Sequence, residues 1–398
     1  MNAFINRVRH VKLADILQGW KLIVSIIPAL IYRIFENDLW IVCEDPNEAR
    51  DNGYWMFKYI KEHHPEQKCI YAIKSSSPDY KKVVELGETV EYGSLKHWIL
   101  YLASSKKISS QKAGNPNAPI FFVLEVYGFL KNKRIFLQHG ITINDGKWLY
   151  YNVTKIRMFI CGAYPEYEYI LQKFGYPKEN VFYTGFCRFD GLHNYSKSEN
   201  IILIMPTWRE WIQPGDYRLK KYEGTTVVQN TNYFMTWTDF IKDRRIKIFA
   251  EKYGVKFIFF PHRNMQKYLQ YFPLSNEYIK IASANQFDVQ DLMKRASLMI
   301  TDYSSVSFDM IYMKKPVIYY QFDYQQYRDC QYAEGYFNYK NNPFARSFKN
   351  KEKIFYELEK YIKNNFSVSG KYIKSHKEYF KIYDSKNCER IYNVIKEI

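Results

Sequence analysis

Leu298-Met-Ile-Thr301, Asp302-Tyr-Ser-Ser305, Val306-Ser-Phe-Asp309-Met-Ile-Tyr-Met313, Lys314-Lys-Pro-Val317-Ile-Tyr-Tyr320 is the stretch that decides the fold. Two short apolar runs flank an amphipathic segment, Ser305–Met313, and turn-forming or charged residues separate the three. Apolar runs of about four to eight residues read as buried strands. A strand leading through a helix into another strand reads as a parallel crossover.

The same rhythm extends through the chain. Further strands are expected at Leu39–Cys43, Lys68–Ile73, Lys106–Ser109, Arg134–Gln138, Met158–Cys161, Val181–Thr184, Ile201–Met205 and Val255–Phe260. Helices are expected at Glu48–His63, Leu95–Ala103, Pro165–Phe174, Trp237–Tyr253 and Val289–Ala296. Such alternation predicts an α/β protein with parallel sheets covered on both faces. The polar stretch Cys187–Asn200 breaks the rhythm and reads as a linker, which divides the chain into 1–190 and 191–398. Gly215–Asn232 reads as a loop of the second domain, and Lys349–Asn364 and Lys371–Ile398 as closing helices.

Composition narrows the class. With 398 residues, 47% hydrophobic and 25% charged, the chain suits two globular domains and is neither disordered nor collagen-like. Its 6 cysteines form no C-x-x-C pair, which argues against a disulfide scaffold or a structural zinc and fits a reducing cytoplasm. Lys and Arg number 58 against 41 Asp and Glu, a net charge of +17. That charge draws polyanions: nucleic acid, an anionic membrane face or a phosphate-rich substrate. A chain encoded by an AT-rich genome carries a similar excess of lysine. A nucleic-acid-binding protein is the rival class, but the basic residues are dispersed and no recognised module is present.

The N-terminal segment has no small-residue cleavage pattern before Glu36. Its apolar run, Leu22–Tyr32, lies between Lys21 and Arg33 and is shorter than the roughly 20 residues that cross a bilayer. With Arg7, Arg9, Lys12, Lys21 and Arg33 around it, the segment suits an anionic membrane surface. A helix in the core of the first domain is the alternative.

Open parallel sheets bind ligands beyond the carboxyl ends of their strands. Four polar clusters fall there: His139-Gly140-Ile-Thr142, Pro206-Thr207-Trp-Arg209, Pro261-His262-Arg263 and Asp302-Tyr-Ser304-Ser305. Ser304 and Ser305 open a helix, where free N–H groups and hydroxyls can hold a phosphate. Asp309, four residues after Ser305, shares its helical face and can accept hydrogen bonds from a polyol. His139 and His262 are candidates for proton transfer. Arg209 and Arg263 offer forked donors to phosphate oxygens. The chain has no G-x-x-x-x-G-K-[ST] loop, no G-x-G-x-x-G after a strand and no H-E-x-x-H. Neither a cofactor nor an obligatory metal is expected.

Together these residues resemble a known family. Phe136-Leu-Gln-His-Gly140, Pro206-Thr-Trp-Arg209, Pro261-His262 and Thr301-Asp-Tyr-Ser-Ser305 with Asp309 look like the CDP-glycerol:glycerophosphate transferases of teichoic-acid and capsule synthesis. The resemblance runs from about Arg134 to Tyr339, in order and spacing. It departs after the His-Gly pair, where a proline is common and this chain reads Ile141-Thr-Ile-Asn144. The resemblance implies a GT-B-like fold of two Rossmann-like domains, an acceptor domain followed by a CDP-glycerol domain. It implies glycerol phosphate transfer to a hydroxyl of a lipid-linked glycan or polyol-phosphate acceptor, with release of CMP, at the cytoplasmic membrane face. His139 and His262 are then the catalytic residues. Gly140, Thr207, Arg209, Pro261, Arg263, Asp302, Ser304, Ser305 and Asp309 then bind substrate. CDP-ribitol transfer and sugar transfer from a sugar nucleotide are the alternatives within the same fold.

Overall fold

The computed structural model describes residues 13–111, 114–130, 133–193, 198–212, 228–273 and 275–398. The chain forms two units, each built on one parallel sheet. One comprises Met1–His139, Lys147–Asp190 and Ile382–Ile398; the other comprises Gly140–Gly146 and Gly191–Lys381.

The strands of the first unit are β1 (Trp40–Cys43), β2 (Cys69–Ile73), β3 (Thr89–Glu91), β4 (Lys106–Ser109) and β5 (Lys133–Phe136). A two-residue strand, β6 (Asn144–Asp145), belongs to the other unit; β7 (Met158–Cys161) and β8 (Val181–Tyr183) complete the first. All seven pair in parallel in the order β3-β2-β1-β4-β5-β7-β8. Every residue of β1, β2, β4 and β7 is buried; β1, β2 and β7 accordingly read as continuous apolar runs, whereas β4 carries Lys106 and Lys107, the latter paired with buried Glu125 at 3.2 Å.

The second unit repeats the plan with β9 (Ile201–Met205), β10 (Lys256–Phe259), β11 (Ile279–Ile281), β12 (Ala296–Thr301) and β13 (Val317–Tyr320). The strand β14 (Ala333–Glu334) pairs with β6 in an antiparallel ribbon, and β15 (Ala345–Phe348) joins the sheet. Its order is β11-β10-β9-β12-β13-β15. In both sheets the order reverses beside the first strand, at β1/β4 and at β9/β12. Those two points are where the topology opens a crevice for a ligand.

Several sequence expectations change. Trp237–Tyr253 is two helices, Asn232–Ile241 and Arg244–Tyr253, because Asp243 caps the second by accepting the Arg245 N–H at 3.0 Å. Cys187–Asn200 is not a plain linker: Cys187–Leu192 is a buried 3₁₀ turn, with Cys187 and Phe189 at 0% exposure. Asn194 and Ser196 of that stretch, and most of the Gly215–Asn232 loop, lie outside the described residues. The closing segment Lys371–Ile398 is also two helices, and they part company. Gly370–Tyr379 stays with the second unit, whereas Asn387–Glu397 belongs to the first. Asp190 fixes that return by accepting the N–H groups of Asn387 and Cys388, both at 2.8 Å.

The N-terminal apolar run is longer than eleven residues. Gly19–Phe35 is one helix, and by length and composition alone Asp15–Phe35 could span a membrane. Leu22, Ala29 and Tyr32 pack into the core beside helix Leu95–Ala103. The opposite side is bare: Ile23, Ile27, Ile34 and Phe35 are 72%, 68%, 78% and 84% exposed. The helix is therefore not a core helix. Two of the basic residues expected at a membrane are tied to backbone carbonyls of the first unit instead. Lys21 donates to the Gly93 carbonyl at 2.8 Å, and Arg33 donates to the carbonyls of Leu102 and Ala103 at 2.7 and 2.9 Å. Arg7, Arg9 and Lys12 lie outside the described residues.

Candidate active site

At the switch point of the second sheet, β9 runs into Pro206-Thr207-Trp208-Arg209 and β12 into Asp302-Tyr303-Ser304. The two strand ends are stitched together. Asp302 accepts the Thr207 N–H at 2.9 Å through one oxygen and the Arg209 guanidinium at 2.7 Å through the other. Arg209 also forks onto Asp323, with Nε at 2.7 Å and Nη2 at 3.2 Å, and reaches the Thr207 carbonyl through Nη1. Tyr303 donates its hydroxyl to the same Asp323.

Arg209 is 0% exposed, with Tyr303 and Tyr233 rings within 4.9 and 5.1 Å of its guanidinium carbon. Burial opposes its charge, but Asp302 and Asp323 overcome that and hold its pKa well above the ordinary value. This corrects the sequence reading of Arg209 and Asp302. The guanidinium is enclosed and bound to two carboxylates, so it braces the strand ends instead of gripping a ligand phosphate. Asp302, also 0% exposed, is the other half of the brace. Asp323 was missed, although it stands three residues beyond the end of β13, a strand-end carboxylate like the others.

The helix after Ser304 and Ser305 is Ser307–Tyr312, only 6 residues, and it starts later than its sequence pattern implies. Its dipole is correspondingly small. What remains are two half-buried hydroxyl residues on a tight turn, the Ser304 Oγ accepting from the Val306 N–H. Ser305 meets the other motif of this unit. A Cβ on Gly140 would sit 2.6 Å from the Ser305 Oγ, so glycine lets the segment after His139 lie against that hydroxyl without displacing it. The Thr207 hydroxyl is buried with no partner among the described residues. Asp309 is 1% exposed, so it is neither a surface cap nor open to solvent.

His262 follows β10 and buried Pro261, with its backbone N–H on the Pro206 carbonyl at 3.0 Å. Its Nδ1 accepts the Asn264 N–H at 3.2 Å, which leaves a neutral ring's proton on Nε2. Its ring lies 6.3 Å from that of Trp208. The following Arg263 is exposed. Thr207, His262 and Arg263 thus stand on neighbouring strand ends.

In the first unit, His139 lies past the end of β5 and is exposed, whereas the adjoining Gln138 is 2% exposed. A polar cluster that the sequence did not reveal sits at this sheet's switch point. Glu44, just past β1, accepts the N–H groups of Arg50, Asp51 and Tyr54 and the hydroxyl of Ser110, just past β4. Gly53 makes this possible, since a Cβ there would meet the Glu44 Cγ at 2.8 Å. Burial, with Asp51 nearby, pushes the Glu44 carboxyl up to about 7. One clue existed: Glu44 is an acid directly after an apolar strand.

The strand order, the two switch points and their strand-end motifs can now be set beside known proteins. The pattern of the CDP-Glycerol:Poly(glycerophosphate) glycerophosphotransferase family matches residues 29–397. The chain belongs to that family. It is 34% identical over 377 residues to the minor teichoic acid biosynthesis protein GgaB of Bacillus subtilis (strain 168), covering 92% of this chain and 41% of GgaB. It is 22% identical over 317 residues to a teichoic acid poly(glycerol phosphate) polymerase of Staphylococcus epidermidis, covering 73% of this chain and 40% of that protein. The chain therefore spans about two fifths of the length of these relatives.

Solved structures extend the comparison to the fold. The wall teichoic acid polymerase TagF is similar with a TM-score of 0.64 at 15% identity, over 97% of this chain and 98% of that one. A UDP-GlcNAc 2-epimerase of Methanocaldococcus jannaschii is similar with a TM-score of 0.54 at 14% identity, over 91% and 100% of the two chains. At such identities the shared property is the GT-B-like fold of paired Rossmann-like units. For this glycerophosphotransferase family member, the sequence-level fold class therefore holds.

Proposed function

We propose that the chain transfers glycerol phosphate from CDP-glycerol to a hydroxyl of a teichoic-acid-type polymer or its lipid-linked primer, releasing CMP. The acceptor oxygen forms a bond to the β-phosphorus as the bond from that phosphorus to the CMP oxygen breaks. His139 takes the acceptor proton, and CMP leaves with the electron pair. Such transfers depend on positioning and on neutralising charge around the phosphorus.

The observation that carries this reading is the meeting of Gly140 with Ser305. Both residues belong to the second unit, and Ser305 is one of the hydroxyls assigned to the diphosphate. Ser304, Ser305, Thr207 and His262 are the proposed diphosphate ligands, with Arg263 as the accessible cation. Arg209 and Asp302 hold the Thr207 and Tyr303 backbones in place. Asp309, Gly140 and Pro261 shape the donor side. TagF has been soaked with CDPG, which supports the same donor class here.

A lipid-held acceptor requires an enzyme at the bilayer. The bare apolar side of helix Gly19–Phe35 supports peripheral binding to the anionic cytoplasmic face, with the helix lying in the interface.

His139→Ala is the direct test. It is expected to lower kcat for CMP release by about 10²–10⁴-fold while calorimetry shows CDP-glycerol affinity unchanged. Near-normal turnover would remove His139 from the mechanism. A poly(ribitol-phosphate) polymerase, 26% identical over 182 residues, is also a relative, so CDP-ribitol belongs in the same assay. Faster turnover with it would reassign the donor.

A further inference from the structure

The residue before His139 is held in a conformation its side chain disfavours. Gln138 has φ = 60°, in the left-handed region, and it is neither glycine nor asparagine. Such a backbone persists only when its surroundings dictate it, and it concentrates where geometry serves a function. Here the surroundings are explicit. Asn52, at 0% exposure, donates both amide hydrogens to consecutive carbonyls, those of Leu137 at 3.2 Å and Gln138 at 2.7 Å. Its own oxygen accepts the Arg188 N–H at 3.0 Å. The Gln138 amide is tied on the far side, to the Ile160 carbonyl and to Glu166 Oε1 at 2.9 Å. Glu166, also 0% exposed, is fixed by the Gly162 N–H at 2.7 Å.

The Gln138 carbonyl lies in the same peptide plane as the His139 N–H. Whatever fixes that carbonyl fixes the direction in which His139 leaves the sheet. We propose that Asn52 is a positioning residue for His139. By clamping the Leu137 and Gln138 carbonyls it holds the left-handed turn that turns His139 outward from an otherwise buried strand end. This rests on the reading of His139 as the general base. Asn52 lies 86 residues before Gln138 and in no motif, so nothing in the sequence connects them.

The test combines turnover with a signal from His139 itself. In the full chain, Asn52→Ala is expected to lower kcat by about 10–100-fold with the KM for CDP-glycerol within about 2-fold, as misplacement of a catalytic group does. In ¹⁵N-histidine-labelled protein the His139 resonances, assigned by their loss in His139→Gln, should shift while those of buried His97 and His376 stay. Unmoved His139 resonances in Asn52→Ala would overturn the proposal whatever the activity. If Asn52→Ala does not fold, Asn52→Ser serves as the same background.

A second comparison isolates the backbone. Gln138→Gly and Gln138→Ala lose the same amide tether, but only alanine resists the left-handed turn. In the Asn52→Ala background the glycine variant should turn over about 5–10-fold faster than the alanine variant. Equal rates would overturn the proposal. Full turnover by His139→Ala would instead overturn the catalytic reading, while the resonance shift still decides the positioning role.

Discussion

Replacing Arg209 with alanine would leave Asp302 and Asp323 close together under Tyr233 and Tyr303, with no cation between them. Removing one partner of a buried ion pair costs about 3–5 kcal/mol, far more than the pair contributes net. Arg209→Ala should therefore lower the denaturant midpoint of the protein by that order, and Arg209→Lys, lacking the fork, should recover only part. A variant as stable as the parent would show that the network is not strained by its loss. Glu44 gives a pH-dependent counterpart. Burial, helped by Asp51, raises its carboxyl from 4.5 to about 7 in the folded chain. Its contribution is present in full below about pH 4.5 and is lost as pH rises through about 7, because only the unfolded chain releases the proton early. Each unit is worth about 1.4 kcal/mol, so parent and Glu44→Gln should diverge by up to about 3 kcal/mol between pH 4.5 and 8, the parent losing stability. Denaturant unfolding at both pH values measures it. The sequence placed Arg209 at a strand end but could not show its enclosure, since the partner Asp323 is 114 residues away. Glu44 was overlooked because its donors are mostly backbone N–H groups, which carry no sequence signal.

Elements whose residues are buried on all sides were the legible ones. Met158–Cys161, Ile201–Met205 and Val317–Tyr320 occur where their apolar runs place them. Within the two parallel sheets the strands that escaped notice, β3, β11 and β15, are edge strands with mixed burial, and half-covered residues need not be apolar. The N-terminal helix was misjudged for a related reason. Its length was taken from the apolar run between two charges, yet Lys21 and Arg33 satisfy backbone carbonyls inside the unit and leave the helix uninterrupted. This predicts a division of labour along one element. Replacing Ile23, Ile27 and Ile34 by serine should reduce co-sedimentation with anionic vesicles and leave thermal stability nearly unchanged, because these side chains touch little in the fold. Replacing Lys21 and Arg33 by glutamine should instead loosen the helix from Leu95–Ala103 and lower the melting temperature. Vesicle binding that survives the serine substitutions intact would overturn the assignment of this face to the membrane.

Both units share one strand order, and both place their polar clusters where that order reverses. Parallel sheets followed from strand–helix alternation, and Thr207 and Asp302 of the second unit from the strand-end rule; the strand order and the Glu44 cluster of the first unit did not. The chain passes from the first unit to the second between Asp190 and Gly191, and neither the detour of Gly140–Gly146 nor the return of Ile382–Ile398 was visible in the sequence. Each depends on a contact of long range, β6 with β14 in one case and Asp190 with Asn387 in the other. Deleting Ile382–Ile398 should therefore raise amide exchange in β1 and helix Asn52–His63, leaving the second sheet protected; uniform exchange in both would refute the assignment. The order of the chain adds something about its birth on the ribosome. The first unit is begun first and finished last, with Gly191–Lys381 synthesised in between. At about 5–20 residues per second that interval lasts about 10–40 s. Through it the nascent first unit lacks the helix that seals it, while the second can already be complete. A chaperone that screens emerging chains should thus engage Trp40–Asp190 longer than Gly191–Lys381.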